Sequence, residues 1–143
     1  MDFKKILRRM VKTAAKHQPV AGHRVYCEIW NSGQRITWGS NHETHFNDPR
    51  YMKNDDAVGM HAEVSALLRA ENTPMTMRGA VALVARARKT ERGGQFVAGL
   101  AKPCPGCMRA LSDYGVAEVY WTENQETPDD EVVVGFEEIK EKT

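Results

Sequence analysis

Three cysteines in 143 residues are too few, and odd in number, for a disulfide framework. No run of about 18 apolar residues could cross a membrane. The N-terminus also lacks the apolar stretch that a secretory signal needs. A cytoplasmic location with no membrane partner is therefore the expectation. Charge of one sign is missing too. Twenty Lys and Arg against 19 Asp and Glu leave a formal net charge of +1, so no global field draws the chain to nucleic acid or lipid. A local basic stripe is still compatible with that balance. Repeats and low-complexity tracts are absent, and 41% hydrophobic with 27% charged residues is an ordinary globular composition. The length suits one compact domain over residues 1–143.

Residues 2–17 read as an amphipathic helix with Phe3, Ile6, Leu7, Met10, Val11 and Ala14 on one face. Lys4, Lys5, Arg8, Arg9, Lys12 and Lys16 fill the rest, as a solvated face or as a contact for phosphate groups. Two strands, 23–30 and 34–39, flank Asn31-Ser32-Gly33, a hairpin turn. A polar loop over 40–59 leads into a helix from about Met60 to Ala70, with Val64, Leu67 and Leu68 as its expected buried stripe. A strand over 79–88 and a turn at 90–94 come next. A segment over 95–101 is expected to extend toward the metal site described below, and a second, metal-bearing helix over 104–114 stops at Gly115. A strand over 116–121 precedes an acidic tail with one apolar run, Val132–Val134, and a short charged end expected to be helical. Helix, hairpin, then alternating helices and strands describe an α/β sandwich with a mixed sheet. Cys27, within a strand, reads as a small buried hydrophobe.

Two short motifs carry the chemistry. His61-Ala62-Glu63 lies in the first long helix after the polar loop, and Pro103-Cys104-Pro105-Gly106-Cys107 opens the second. Cys104 and Cys107, three apart, share one helix face, and a helix N-terminus favours their thiolates. Prolines 103 and 105 suit a helix start. Two thiolates and the His61 imidazole make three ligands for a tetrahedral ion and leave the fourth position to water, whereas a structural zinc site would be closed by a fourth Cys or His. No second cysteine pair exists to complete a zinc ribbon. His61 and Glu63 lie roughly 200° apart on a regular helix, so they serve one site only if the metal sits off the helix N-terminus.

These motifs resemble the cytidine and deoxycytidylate deaminase superfamily, which includes tRNA adenosine deaminases. The likeness spans roughly residues 39–121, and Met108-Arg109-Ala110-Leu111 with Gly115-Val116-Ala117-Glu118-Val119-Tyr120 looks most like its deoxycytidylate group. The resemblance implies a three-layer αβα sandwich with a mixed five-stranded sheet and both metal motifs on adjacent helices. It implies zinc held by His61, Cys104 and Cys107, and Glu63 as the acid and base that moves protons while water replaces an exocyclic amine. It further implies that Asn41 contacts substrate, that the Ala62 backbone reads the base edge, and that the protein is a homo-oligomer. The forty or so residues between Glu63 and Cys104 exceed the family's usual spacing, so 86–99 is expected to form an extended hairpin.

The loop before His61 holds His42, His45, Arg50 and Lys53. Arg50 and Lys53 are candidates for a substrate phosphate, with solvated charge as the plainer reading, and His42 with His45 for a second metal. Trp38, Phe46 and Trp121 are candidates either for stacking on a base or for packing, with Tyr120 on the opposite sheet face from Trp121. The expected activity is deamination of cytosine in a free nucleotide or nucleoside, deoxycytidylate first. Its rivals are a deaminase acting on single-stranded DNA or tRNA, favoured by the basic first helix, and a non-catalytic zinc-binding scaffold.

Overall fold

The computed structural model describes residues 2–16, 24–41, 61–71, 77–90 and 94–139. The chain opens with α1, Phe3–Ala15, capped by Asp2, whose side chain accepts from the Lys5 N–H at 3.0 Å. Its buried residues Leu7, Met10, Val11 and Ala14 lie on the expected face. Strands β1 (Arg24–Asn31) and β2 (Gln34–Ser40) pair antiparallel. Ser32 and Gly33, at φ 53° and 78°, form the two-residue turn whose twist suits a hairpin. After α2 (Ala62–Ala70) come β3 (Val81–Lys89), β4 (Phe96–Gly99), α3 (Pro105–Asp113), β5 (Glu118–Thr122) and β6 (Val134–Glu138).

The sheet runs β2-β1-β3-β5-β6, with β4 paired to β3 off that path. One edge of β3 is shared: Val81–Val84 pair parallel with β5, and Arg86–Lys89 pair antiparallel with β4. The 86–99 hairpin is therefore real. Thr122 bridges the junction, its hydroxyl donating to Gly99 O at 2.7 Å and accepting from the Arg86 N–H at 3.2 Å.

Side chains alternate along each strand and divide the core in two. Tyr26, Leu83, Ala85, Ala87 and Ala98 meet α1 on one face. Cys27, Ile29, Ala82, Val84, Val119 and Trp121 meet α2 and α3 on the other. The αβα sandwich with a mixed sheet is thus present, with six strands where five were expected. The extra pairing comes partly from the tail. Residues 134–138 are a strand, not the expected helical end, because Val134, Gly135 and Phe136 extend along the open edge of β5. Phe136 also packs on Tyr120 with ring centroids 4.8 Å apart.

The buried face of α2 also differs from the expected one. Ala62, Ser65, Ala66, Leu67 and Ala70 are buried, while Val64 and Leu68 are only half-buried. Small residues face the sheet because α2 lies close upon it. A Cβ added to Gly39 would fall 2.5 Å from the Ala66 backbone nitrogen, and Thr37 donates its hydroxyl to Ala66 O at 2.8 Å.

On the other face, Glu28 is fully buried and accepts from both Arg9 guanidinium nitrogens, Tyr26 Oη and Trp30 Nε1 at 2.7–3.0 Å. Burial pushes this carboxyl up, but the hydrogen bonds from Arg9, Tyr26 and Trp30 outweigh it and hold it below its ordinary value. Removing a partner of a buried charge is costly. Arg9→Met should therefore cost about 1–3 kcal/mol in urea unfolding, reduced from a fully buried pair because Arg9 itself is half exposed. The contribution of Glu28 is present at neutral pH and lost as pH falls through its lowered folded pKa. An unchanged urea midpoint at pH 7 would rule the linkage out.

Candidate active site

Helices α2 and α3 aim their N-termini at one point. His61 is the N-cap of α2 (φ −71°, ψ 151°) and Cys104 the N-cap of α3 (φ −69°, ψ 164°), both with extended backbone. Cys107 follows in the first turn of α3, and the opposite ends of the two helices are joined by a hydrogen bond from Tyr114 Oη to Glu71. The 200° difficulty disappears here. His61 stands outside the helix and turns back across its end, while Glu63 occupies the first turn.

His61 Nδ1 lies 3.2 Å from Cys107 Sγ and 3.5 Å from Cys104 Sγ. A tetrahedral centre with ordinary Zn–S and Zn–N bonds separates N from S by about 3.6 Å, so the cradle fits zinc with a small expansion. Among the described residues, these three form the one group of His, Cys, Asp or Glu whose ligand atoms lie close enough, within 4.8 Å, to hold an ion. Glu63 stands beside them, only 4% exposed. Burial, the largest influence, raises its pKa; the His61 charge opposes that.

Without metal, the two thiols divide one proton unequally. The Cys107 thiol donates to Cys104, which, with His61 and against burial, brings the Cys104 pKa down to about 4. Donation to Cys104, burial and the Glu63 charge push Cys107 far up. The Cys104 contact likewise raises His61. A metal ion needs both thiolates and a neutral imidazole, so loading must expel protons. At pH 7, zinc uptake should release at least one proton per ion, and affinity should fall about tenfold for each unit that pH is lowered, per proton released. Titration calorimetry in two buffers of different ionisation enthalpy reads this directly; identical heats in both would contradict the protonated Cys107.

The other candidate residues fall as follows. Ala62 is buried at the start of α2, in the turn whose N–H groups have no intrahelical acceptor. Asn41, at the end of β2, accepts from the Val25 N–H through Oδ1 at 3.0 Å, and its own N–H donates to Val25 O at 3.2 Å. That pairing sets the direction of its carboxamide. Arg50, Lys53, His42, His45 and Phe46 lie outside the described residues. Trp121 is packed beneath α3, its indole N–H donating to Glu123, and Trp38 lies under the Arg69 guanidinium 4.0 Å from its ring. Both are packing residues here. Tyr120 points to the α1 face, as expected, stacked on Phe3 at 4.3 Å. Sequence reasoning missed Gly39 as the residue that lets α2 approach; the available signal was a glycine within a strand.

Residues 1–123 match the family described as cytidine and deoxycytidylate deaminase zinc-binding region. No curated protein matches the chain in sequence. Among solved structures, the chain is similar to dCMP deaminase from the cyanophage S-TIM5 in apo form, with TM-score 0.59, 16% identity and coverage of 85% of this chain and 83% of that one. The same phage enzyme in complex with dCMP and dUMP gives 0.53, 15%, 89% and 82%. A Thermotoga maritima diaminohydroxyphosphoribosylaminopyrimidine deaminase/5-amino-6-(5-phosphoribosylamino)uracil reductase gives 0.50 at 17% identity, and the match spans 82% of this chain but 28% of that one. At these identities the likeness is one of fold. The family match covers most of the chain, the cradle fits its metal, and no helix among the described residues is long and apolar enough to cross a membrane. The chain belongs to the cytidine and deoxycytidylate deaminase family and is a zinc-dependent deaminase.

Proposed function

We propose that the protein deaminates cytosine in a free nucleotide or nucleoside, with deoxycytidylate as the first candidate. The observation that carries this reading is the burial of Glu63 beside a three-ligand cradle that does not use its carboxylate. Zinc, when bound, supplies a Lewis acid that makes water acidic enough to lose a proton near neutral pH. His61, Cys104 and Cys107 are its ligands. Glu63 takes that proton on a carboxylate oxygen and delivers it to ring nitrogen N3 as the hydroxyl adds to C4. It then carries the hydroxyl's proton to the departing amine, so that water and cytosine become uracil and ammonia. Ala62 N–H, at the helix start, donates to the base edge in this reading, and Asn41 holds the sugar side of the substrate. Arg50 and Lys53 are proposed phosphate contacts from the segment leading to His61. The chain is read as one domain that forms a homo-oligomer in the cytoplasm.

The mononucleotide reading is supported by the phage relative's complex with dCMP and dUMP. It is also supported by the place of the basic helix. Helix α1 packs on the sheet face away from the metal ligands, with Arg9 held by Glu28 and Lys4 by Glu131. That basic face does not border the cradle, which weakens the polynucleotide rival. Ammonia release should be assayed with zinc-loaded protein on deoxycytidylate, cytidylate, their nucleosides, single-stranded DNA and a tRNA anticodon stem. Turnover of a free cytosine compound is the expected result. Turnover of the polymers alone would overturn the reading.

A further inference from the structure

Rows of residues across the sheet place two arginines on the face that carries this site, beyond the start of α2. Gly39, Cys27 and Val84 are cross-strand neighbours beneath the first turn of α2, where Gly39 meets Ala62 and the Glu63 charge bears on the Cys27 thiol. The next row on the same face is Asn41, Val25 and Arg86. Asn41 and Val25 exchange two hydrogen bonds, and Val25 is the register partner of Arg86. Because Thr37 reaches Ala66 and Gly39 reaches Ala62, this further row lies beyond the start of α2, at the end of the sheet where the metal ligands gather. Two strand residues span about 7 Å, so Arg86 lies one short step from the Glu63 row. Arg88 follows it on that face.

The contacts of these two arginines are incomplete. The Nε of each is buried without a hydrogen-bond partner. Arg88 donates one terminal nitrogen to Gln125 O. Among the described residues the ion pairs are those of Lys4, Arg9 and Arg35, and neither Arg86 nor Arg88 has a carboxylate. Burial and the neighbouring Arg88 both lower the Arg86 pKa, which fits a cation lacking its counter-charge. Gly99, opposite Arg86 across the hairpin, leaves the space that the arginine stem fills. Half-buried like charges without an anion are an unfavourable arrangement, and guanidinium forks match the oxygens of a phosphate.

We propose that Arg86 and Arg88, carried by the β3–β4 hairpin, form a binding site for the phosphate of a mononucleotide substrate. The proposal rests on the cytosine reading above and narrows it from nucleotide or nucleoside to nucleoside monophosphate. Two measurements test it on zinc-loaded protein: calorimetric binding of inorganic phosphate, and kcat/KM for deoxycytidylate against deoxycytidine. R86Q should weaken phosphate binding and lower kcat/KM for deoxycytidylate by about 10–100-fold, while deoxycytidine turnover and zinc content stay unchanged. R88Q should act in the same direction, and R86K, which keeps the charge but loses the fork, should fall between; these two also serve if R86Q does not fold. The proposal fails if the wild type does not bind phosphate at millimolar concentration. It fails equally if R86Q lowers both substrates alike, or if only an R50Q/K53Q variant moves the ratio. Arg86-dependent phosphate binding without turnover of either compound would support the anion site and sink the cytosine reading instead.

Discussion

Replacing Glu63 with Gln should leave zinc bound and lower kcat by about 10²–10⁴-fold, the range for loss of a positioned acid–base group. That corresponds to about 3–5 kcal/mol of barrier. The substitution is close to isosteric, so the packing of a side chain only 4% exposed is kept. What disappears is the ability to take a proton and return it. The carboxylate is also in a setting that suits exchange, since burial raises its affinity for a proton above that of an exposed glutamate. KM should change little, because the role is played between ground state and product rather than in binding. Cys104→Ala is the contrasting variant, expected to lose metal and turnover together. Near-normal kcat for Glu63→Gln at full zinc occupancy would remove Glu63 from the proton path.

Much of this architecture is legible in the sequence because it is local. The apolar face of α1 follows from its spacing, the hairpin from Ser32-Gly33, and the metal cradle from residue types that have few other uses together. What escapes is set by partners distant in the chain. Glu28 looks like one more polar residue in a strand until Arg9 and Arg35 arrive from α1 and β2 to surround it. The charged tail after Val134 has a helical composition, and only the vacant edge of β5 makes it a strand. Val64 and Leu68 look like the natural anchors of α2 by size. The sheet instead accepts alanines, because Gly39 draws the helix in too close for larger side chains. The unusual spacing before Cys104 points to the hairpin over 86–99, but not to the register that sets Arg86 beside Gly99.

Gly39→Ala should damage both stability and activity with a single methyl. The added carbon would fall 2.5 Å from the Ala66 backbone nitrogen, 2.8 Å from Ser65 Oγ and 2.9 Å from Ala62 O. Two of those three atoms are backbone, so relief requires α2 to move as a body rather than a side chain to rotate. Overpacking of this kind costs about 1–3 kcal/mol, or roughly 3–10 °C in Tm for a domain of this size. The functional loss should exceed the loss in stability. α2 carries His61 and Glu63, whereas Cys104 and Cys107 ride on α3, so lifting one helix splits the ligand set. A displacement of about 1 Å in catalytic geometry can cost 10²-fold, and zinc affinity should fall with it. Gly99→Ala makes the contrast: its methyl would meet only the Arg86 side chain, at 3.0 Å, so it should disturb that arginine without moving either helix that carries the metal ligands. Circular dichroism melts, zinc content and kcat measured on both variants separate the two cases. If Gly39→Ala melts and turns over like the wild type, the close seating of α2 is not what holds the catalytic geometry.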